Sequence, residues 1–139
     1  MLGWFLIFAV STAWSCSCNI GDAREKFKNH VSVFTGIVKE IVFYKERDFF
    51  GDQYIRVTFE IAKQWKGSPE QNQLLTAYNG ASCFGYRFKK GQTYLVYAFA
   101  EGNELNAWWC GGVLSEKESK GAFDSDIRQL NRLRHKHVQ

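Results

Sequence analysis

The clearest periodicity in the chain is the alternation of apolar and polar residues from Tyr54 to Trp65. Its apolar positions share one side of an extended chain: Ile55, Val57, Phe59 and Ile61. The polar residues between them fall on the other side, because successive side chains of a strand point in opposite directions. The stretch therefore predicts a strand with one buried face and one exposed face.

Four further segments are rich in β-forming residues and are bounded by turn residues: Val31–Tyr44, Gln73–Tyr78, Thr93–Ala100 and Leu105–Cys110. Gly36 lies inside the first of them and predicts a bulge or a sharp bend. Residues 45–52 are polar and punctuated by glycine, which predicts a hairpin tip that exposes Phe49 and Phe50. Contact of these two rings with a partner is one interpretation, and a tip without a partner is the other.

In two segments the apolar residues are spaced as on one face of a helix. In residues 22–29, Ala23 and Phe27 lie four positions apart behind Asp22, which predicts a short helix capped by Asp22. Residues 125–135 predict a closing helix with one apolar face, formed by Ile127, Leu130 and Leu133. About five strands with a helix at each end predict a mainly β fold, and a small closed barrel is the expected form. This pattern does not separate an OB-type barrel from a sandwich.

The start of the chain has the pattern of a secretory signal. Residues 2–10 are apolar, and the run is too short for a helix that spans a bilayer, which needs roughly 20 apolar residues. Small residues follow, in the signal-peptidase pattern Ala13-Trp14-Ser15. We predict that residues 1–15 are a signal peptide, that the mature chain begins at Cys16, and that it is secreted and extracellular, or periplasmic in a bacterium. A buried N-terminal strand is the alternative.

Composition limits the size of the fold and favours oxidised cysteines. The chain has 139 residues, of which 45% are apolar, so residues 16–139 fit one domain with a real core. Its four cysteines are Cys16, Cys18, Cys83 and Cys110. An even number in a secreted chain predicts two disulfides, and a bond between Cys16 and Cys18 would be strained, which leaves two pairings open. A zinc site is the alternative, but paired zinc cysteines usually have about two to four residues between them.

Several motifs, in this order, resemble one family: Cys16-Ser17-Cys18, Val33-Phe34-Thr35-Gly36-Ile37-Val38, Val57-Thr58-Phe59-Glu60-Ile61, Trp65-Lys66-Gly67, Ala81-Ser82-Cys83, Gly91-Gln92-Thr93-Tyr94-Leu95-Val96-Tyr97 and Cys110. The series resembles the netrin-like module of the tissue inhibitors of metalloproteinases (TIMPs) and their shorter, bacterial-type relatives. The resemblance covers roughly residues 16–113. It implies an OB-fold-like, five-stranded closed β-barrel at about residues 31–113, with the C-terminal helix at about 124–136. It also implies the disulfides Cys16–Cys83 and Cys18–Cys110.

The resemblance further implies a function. In inhibitory TIMPs, the free amine and the carbonyl of the first cysteine, here Cys16, chelate the catalytic zinc of a metalloendopeptidase. The next side chain, Ser17, would enter the specificity pocket, and Cys18, Ala81 and Ser82 would also contact the protease. The chain departs from animal members in having fewer cysteines, and in having Asn19-Ile20-Gly21 where they have a proline-rich ridge. A non-inhibitory netrin-like module that binds matrix, glycans or another secreted protein is therefore the alternative function.

The remaining chemistry-bearing residues lie near the C-terminus. The formal net charge is +4, and a basic cluster stands in the predicted closing helix: Arg128, Arg132, Arg134 and Lys136. It favours matrix or sulfated glycans, with a solvated helix face as the alternative. Secretion and disulfides argue against nucleic acid, and no membrane association is expected after signal cleavage. Trp108 and Trp109 predict a strand packed beside a disulfide, with an exposed binding surface as the alternative. No catalytic or phosphate-binding motif occurs, so we expect no enzyme, no cofactor and no metal of its own.

Overall fold

The computed structural model describes residues 20–137, with side chains described to residue 134. Among these residues the chain forms two helices, α1 (Ala23–Asn29) and α2 (Lys120–His137). It also forms six strands: β1 (Ser32–Arg47), β2 (Gln53–Lys66), β3 (Gln73–Ala77), β4 (Thr93–Glu101), β5 (Glu104–Ala107) and β6 (Val113–Ser115). The predicted mainly β class, with one helix before the strands and one after them, is confirmed. The predicted signal peptide, Cys16, Ser17 and Cys18 lie outside the described residues.

The strands form one antiparallel sheet in the order β3-β2-β1-β4-β5, and β6 pairs with β4. The long strand β1 lies at its centre and pairs with β2 along most of its length. Only its first part, Ser32–Ile37, also pairs with β4. The register of β1 against β2 shifts between Thr35 and Gly36, where the sequence predicts a bulge. Such bulges bend a strand and increase its twist, so the sheet curls into a half-barrel.

The strand pairing gives an open sheet in place of the predicted closed barrel. β3 and β5, the ends of the strand order, lie close together, but no ladder joins them in the described part of the chain. Instead the segment after Cys83 bridges them, since Gly85 N donates to Ala107 O at 2.8 Å and Tyr86 N donates to Ala77 O at 3.2 Å. A Cβ atom at Gly85 would overlap the carbonyl of Ala77, so only glycine fits this position. A short irregular segment therefore occupies the place of a closing ladder.

The sheet is buried on both faces over part of its area. Its concave face holds the inner core, formed by residues that include Phe34, Val38, Ile55, Val57, Phe59, Leu74, Tyr94 and Val96. Its convex face packs under the two helices and forms the outer core: Ala23, Val33, Leu95, Tyr97, Phe123 and Leu130. The face predicted from the alternation in β2 is buried as expected, although Ile61 is only half-buried. Because β4 contributes to both cores, its sequence is apolar throughout and does not alternate.

The structure also corrects several element boundaries. Asp22 caps α1 as predicted, since its carboxylate accepts a hydrogen bond from Glu25 N at 3.0 Å. Helix α2 begins at Lys120, one turn or more before the predicted start, because Ser119–Phe123 already has a helical backbone hydrogen bond. The last predicted strand ends at Ala107 instead of Cys110. Strand β6 is not predicted by the sequence, because three residues carry no readable periodicity.

Candidate functional site

One end of the sheet carries Ala81 and Ser82, the two described residues that are predicted to contact a protease. We call this region the loop edge; it consists of the hairpin tip at residues 48–52, the loop at residues 79–82 and the segment Trp108–Gly111. The tip is held by Asp48, whose Oδ1 accepts hydrogen bonds from Phe50 N at 2.9 Å and from Asp52 N at 2.8 Å. Phe49 is 97% exposed and Phe50 is 51% exposed, so the predicted exposure of both rings is confirmed.

Asp52 joins the hairpin tip to the second loop. Its side chain is buried, and its two carboxylate oxygens each accept a hydrogen bond from Asn79 N at 2.9 Å. The Oδ2 atom also lies 3.4 Å from Ala81 N, which donates to it. Carboxylate-to-amide hydrogen bonds are among the stronger ones in proteins. The sequence analysis placed Asp52 in a polar tip and missed this role, because its partners are far away in sequence.

The loop at residues 79–82 leads directly into Cys83. Cys83 N donates to Gly80 O at 3.0 Å and closes a tight turn. Cys83 itself has φ of 67°, a left-handed conformation that costs a non-glycine residue about 1–3 kcal/mol. Within this loop Ala81 is exposed and Ser82 is half-buried. Two of the four predicted protease-contacting residues, Ala81 and Ser82, therefore lie at the loop edge, and Ala81 is the more accessible of the two.

The segment Trp108–Gly111 packs beside this loop. Trp109 N donates to Cys83 O at 3.0 Å, and the Trp109 ring lies so close to Gly80 that a Cβ atom there would overlap it. The Trp108 ring packs against Phe84 at 4.8 Å between centroids and against Phe99 at 5.0 Å. Trp108 is therefore half-buried among aromatic rings, although it lies outside the strand that was predicted to contain it, and Trp109 is 43% exposed.

Both described cysteines lie at the loop edge. Neither Cys83 nor Cys110 is a free thiol, and both are disulfide-bonded. The pairings implied by the resemblance, Cys16–Cys83 and Cys18–Cys110, stay predictions because Cys16 and Cys18 lie outside the described residues. The first described residue, Ile20, lines the same cavity as Trp108. The segment that leads into α1 therefore meets the fold beside the loop edge.

A buried charged cluster fixes helix α1 next to this edge. Lys26 is 5% exposed, and its Nζ lies 2.7 Å from Asp126 Oδ2 and donates to Gly111 O at 3.1 Å. The same ammonium lies 4.4 Å from the ring centroid of Tyr97, and the Tyr97 hydroxyl donates to Asp126 at 2.9 Å. Burial, followed by the negative charge of Asp126, raises the pKa of Tyr97. The cluster joins α1, β4, α2 and the residue after Cys110, and no local pattern in the sequence predicts it.

A second tyrosine with a raised pKa is Tyr86, in the segment that follows Cys83. Burial, with the Glu118 carboxylate as the next cause, raises the pKa of Tyr86 to about 12. The Tyr86 hydroxyl donates to Glu118 at 3.4 Å, and Lys89 pairs with the other oxygen of that carboxylate at 3.3 Å. Tyr86 therefore stays protonated at neutral pH and acts here as a hydrogen-bond donor.

The basic residues predicted near the C-terminus lie on α2. Arg128, Arg132 and Arg134 are exposed, and the side chain of Lys136 lies outside the described side chains. Across residues 20–134, no group of three or more His, Cys, Asp and Glu side chains is arranged to hold a metal ion. Within the described part of the chain, no helix has the length and apolar character needed to span a bilayer.

Comparison with known proteins adds no assignment to this geometry. No protein-family model matches the chain, and no curated protein matches it either.

Proposed function

We propose that the chain is a secreted, TIMP-like inhibitor of zinc metalloendopeptidases, and that Cys16 chelates the zinc of its target. The observation that supports this proposal most directly is the meeting of three segments at the loop edge. Trp109 N bonds to Cys83 O, and Ile20 lines a cavity together with Trp108. The disulfide-bonded Cys83 and Cys110 both belong to these segments. Disulfides from Cys16 and Cys18 to this place would hold the mature N-terminus beside Ala81.

The chemistry of the proposed contact is simple. An α-amine has a pKa near 8, so losing its proton to coordinate zinc at neutral pH costs only about 1 kcal/mol. The amine and carbonyl of one residue close a five-membered ring on the metal, and zinc accepts such nitrogen and oxygen donors at about 2 Å. An N-terminus already ordered by disulfides loses less entropy on binding, which increases affinity. Ser17 is small and polar, and it would enter the pocket beside the zinc without a clash.

The shape of the loop edge suits insertion into a protease cleft. Ala81 is small and exposed, and the carboxylate of Asp52 holds its backbone in place. Phe49 and Phe50 project from the neighbouring tip and offer apolar contact area. Exposed aromatic residues next to a rigid loop are typical of protein-binding surfaces.

An OB-type barrel is part of the same proposal. The strand order β3-β2-β1-β4-β5, with β3 beside β5, is compatible with a partly open five-stranded Greek-key barrel. Secretion, signal cleavage before Cys16 and the two disulfide pairings also belong to the proposal.

Inhibition of a panel of zinc endopeptidases tests the proposed function. The protein is produced with Cys16 as its first residue, verified by mass, beside a matched form with one additional Ala ahead of Cys16. We expect inhibition by the first form only, because acylating the amine removes its lone pair for zinc. An Ala81→Arg variant that begins at Cys16 should inhibit less, whereas Arg132→Ala should inhibit normally. Equal inhibition by the two N-terminal forms, or none by either, contradicts the proposal.

The second candidate is a non-inhibitory netrin-like module that binds matrix or sulfated glycans. The exposure of Arg128, Arg132 and Arg134 on α2 favours it. Cationic faces bind polyanions with a steep dependence on salt. Retention on heparin that falls after Arg128→Ala and Arg132→Ala, in a protein that inhibits no protease of the panel, would select this candidate.

A further inference from the structure

A cavity lies on the outer side of the sheet, away from the inner core. It has a volume of about 450 Å³ and is lined by Tyr44, Glu46, Tyr54, Arg56 and Leu75. These residues belong to the neighbouring strands β1, β2 and β3, whose alternate residues fill the inner core. Ligand pockets typically measure roughly 300–1,000 Å³, so a small ligand fits this one.

Arg56 is held rigidly in the wall of this cavity. Its two terminal nitrogens donate to the two carboxylate oxygens of Glu104 on β5, each at 3.1 Å. Its Nε donates to the Tyr44 hydroxyl at 3.0 Å, and Nη1 also donates to Gln73 at 3.3 Å. Bidentate pairing of this kind fixes the plane of both groups. The wall is therefore preorganised before any ligand arrives.

A second, smaller cavity of about 150 Å³ adjoins the first. Its lining is rich in side-chain amides: Glu70, Gln71, Asn72, Gln73, Asn103, Glu104 and Leu105. Gln73 and Glu104 line the second cavity and are hydrogen-bonded to Arg56, which lines the first. One hydrogen-bond network therefore lies between the two cavities. We call the two cavities together a depression, and a ligand that occupied both would be extended.

The groups in this depression match a polyhydroxylated ligand. Among the described residues, no group hydrogen-bonds to the Tyr54 hydroxyl or to the Glu46 carboxylate. Amides and hydroxyls donate and accept, as the hydroxyls of a saccharide do, and tyrosine rings offer flat apolar faces for sugar C–H groups. Three carboxylates, of Glu46, Glu70 and Glu104, line the two cavities against one guanidinium. This balance disfavours sulfated or phosphorylated ligands.

We propose that this depression, which we call the outer groove, binds a neutral oligosaccharide. Tyr44 and Tyr54 stack against sugar rings, and Glu46, Gln73 and the Arg56–Glu104 pair hydrogen-bond to sugar hydroxyls. The outer groove is distinct from the inhibitory contact, because its lining residues lie outside the hairpin tip at residues 48–52, the loop at residues 79–82 and the segment Trp108–Gly111. It is also distinct from the cationic face of α2.

The test uses the full mature protein and defined linear oligosaccharides of glucose, mannose and N-acetylglucosamine, with a heparin-derived oligosaccharide as the anionic comparison. We expect calorimetric binding of at least one neutral oligosaccharide, weakened about tenfold by Tyr54→Ala. The matched control Arg132→Ala removes a charge from α2 and should leave this affinity unchanged. Thermal unfolding establishes that each variant is folded.

Because Tyr54→Ala also removes buried area, the double variant Tyr54→Phe/Glu46→Gln tests the polar groups alone. It should bind the same oligosaccharide less tightly than the wild type while unfolding at a similar temperature. Binding of none of the neutral oligosaccharides, tighter binding of the heparin fragment, or full affinity in both groove variants would overturn the proposal. Protease inhibition is measured in parallel, and its presence or absence does not affect this outcome.

Discussion

The dipeptide Val-Phe occurs twice in β1, and the two copies have opposite environments. Val33 and Phe34 are fully buried, whereas Val42 is 39% exposed and Phe43 is 49% exposed. The first copy lies where β1 pairs with both β2 and β4, with the helices on one face and the inner core on the other. The second lies where β1 pairs with β2 alone. Identical residues in one strand are thus fully buried at one end and largely exposed at the other.

Neighbouring elements, more than local sequence, therefore decide the environment of each half of β1. We call residues 32–38 the buried half and residues 39–47 the projecting arm. The arm ends in the hairpin tip and is tied to the rest of the molecule through Asp52 and the loop at residues 79–82. The buried half is bordered by α1, whose last turn contains the charged cluster around Lys26.

The largest expected effect separates the two phenylalanines directly. Phe34→Ala should lower the free energy of unfolding by about 3–5 kcal/mol, because it leaves a cavity in the inner core. Phe43→Ala, whose ring packs edge-on against Tyr78 at 5.1 Å, should cost less than about 1.5 kcal/mol. Urea unfolding measures both. Similar losses in the two variants would show that the arm is as tightly integrated as the buried half.

The next largest loss of stability is expected when the charged cluster beside the buried half is disrupted. Asp126→Ala leaves the Lys26 ammonium buried beside Tyr97 without its carboxylate, which should cost about 3 kcal/mol. The double variant Lys26→Met/Asp126→Leu should recover most of the loss, because apolar residues replace both charges. Chemical denaturation of the three proteins tests this, and a double variant no more stable than Asp126→Ala would contradict it.

Removing the anchor of the arm should have a smaller and local effect. Asp52→Ala leaves the amides of Asn79 and Ala81 without their acceptor, at a cost of about 1–3 kcal/mol. Hydrogen exchange of those two amides should accelerate more than exchange in β4. As a control, Lys39→Ala removes an exposed ion pair with Glu60 and should leave the loop amides protected. Unchanged exchange at Asn79 in Asp52→Ala would refute the anchoring role.

The smallest expected effect is a dependence of the folding stability on pH, caused by His30 at the border of the buried half. Burial, as the largest cause, and then the charges of Lys26 and Lys66 lower the pKa of His30, although a hydrogen bond with the Lys26 carbonyl opposes them. The folded state therefore prefers neutral His30, while the unfolded chain takes up a proton below about pH 6.5. This contribution to stability is complete above that pH and is lost as the pH falls through the folded-state pKa.

Unfolding free energies at pH 8 and pH 5 test this expectation. The wild type should lose more stability between these conditions than His30→Gln, which cannot titrate there. Asp126 and the Lys26 ammonium lie in the adjoining cluster, so both proteins must be compared at the same ionic strength. Equal losses in both proteins would place the pH dependence elsewhere in the chain.

Local patterns were enough to predict most of the elements. The alternation in β2, the Asp22 cap of α1, the bulge at Gly36 and the exposure of Phe49 and Phe50 all follow from side-chain period and turn chemistry, and all are present. The zinc-chelating role of Cys16 follows from a resemblance and stays a prediction. The structure places Ala81 and Ser82 in a loop whose next residue, Cys83, accepts a hydrogen bond from Trp109 N.

The interactions that shape the candidate sites could not be predicted from short stretches of sequence. Asp52 meets Asn79, Lys26 meets Asp126, and Arg56 meets Glu104, each across a long stretch of chain. A charged residue that will be buried has the same appearance in a sequence as one that stays solvated. The open sheet also differs from the predicted closed barrel, since Gly85 and Tyr86 bridge β3 and β5 by backbone contacts that no side-chain pattern encodes.

Most of the strands and helices, and the apolar faces that they carry, could be predicted from the sequence alone, because these properties depend on residues a few positions apart. The tertiary structure decided which apolar faces are covered. Val33 and Val42 have the same side chain, and only the presence of β4 and the helices around the first separates their environments. It also decided which polar residues converge at the loop edge and in the outer groove, because that convergence depends on strand order and curvature.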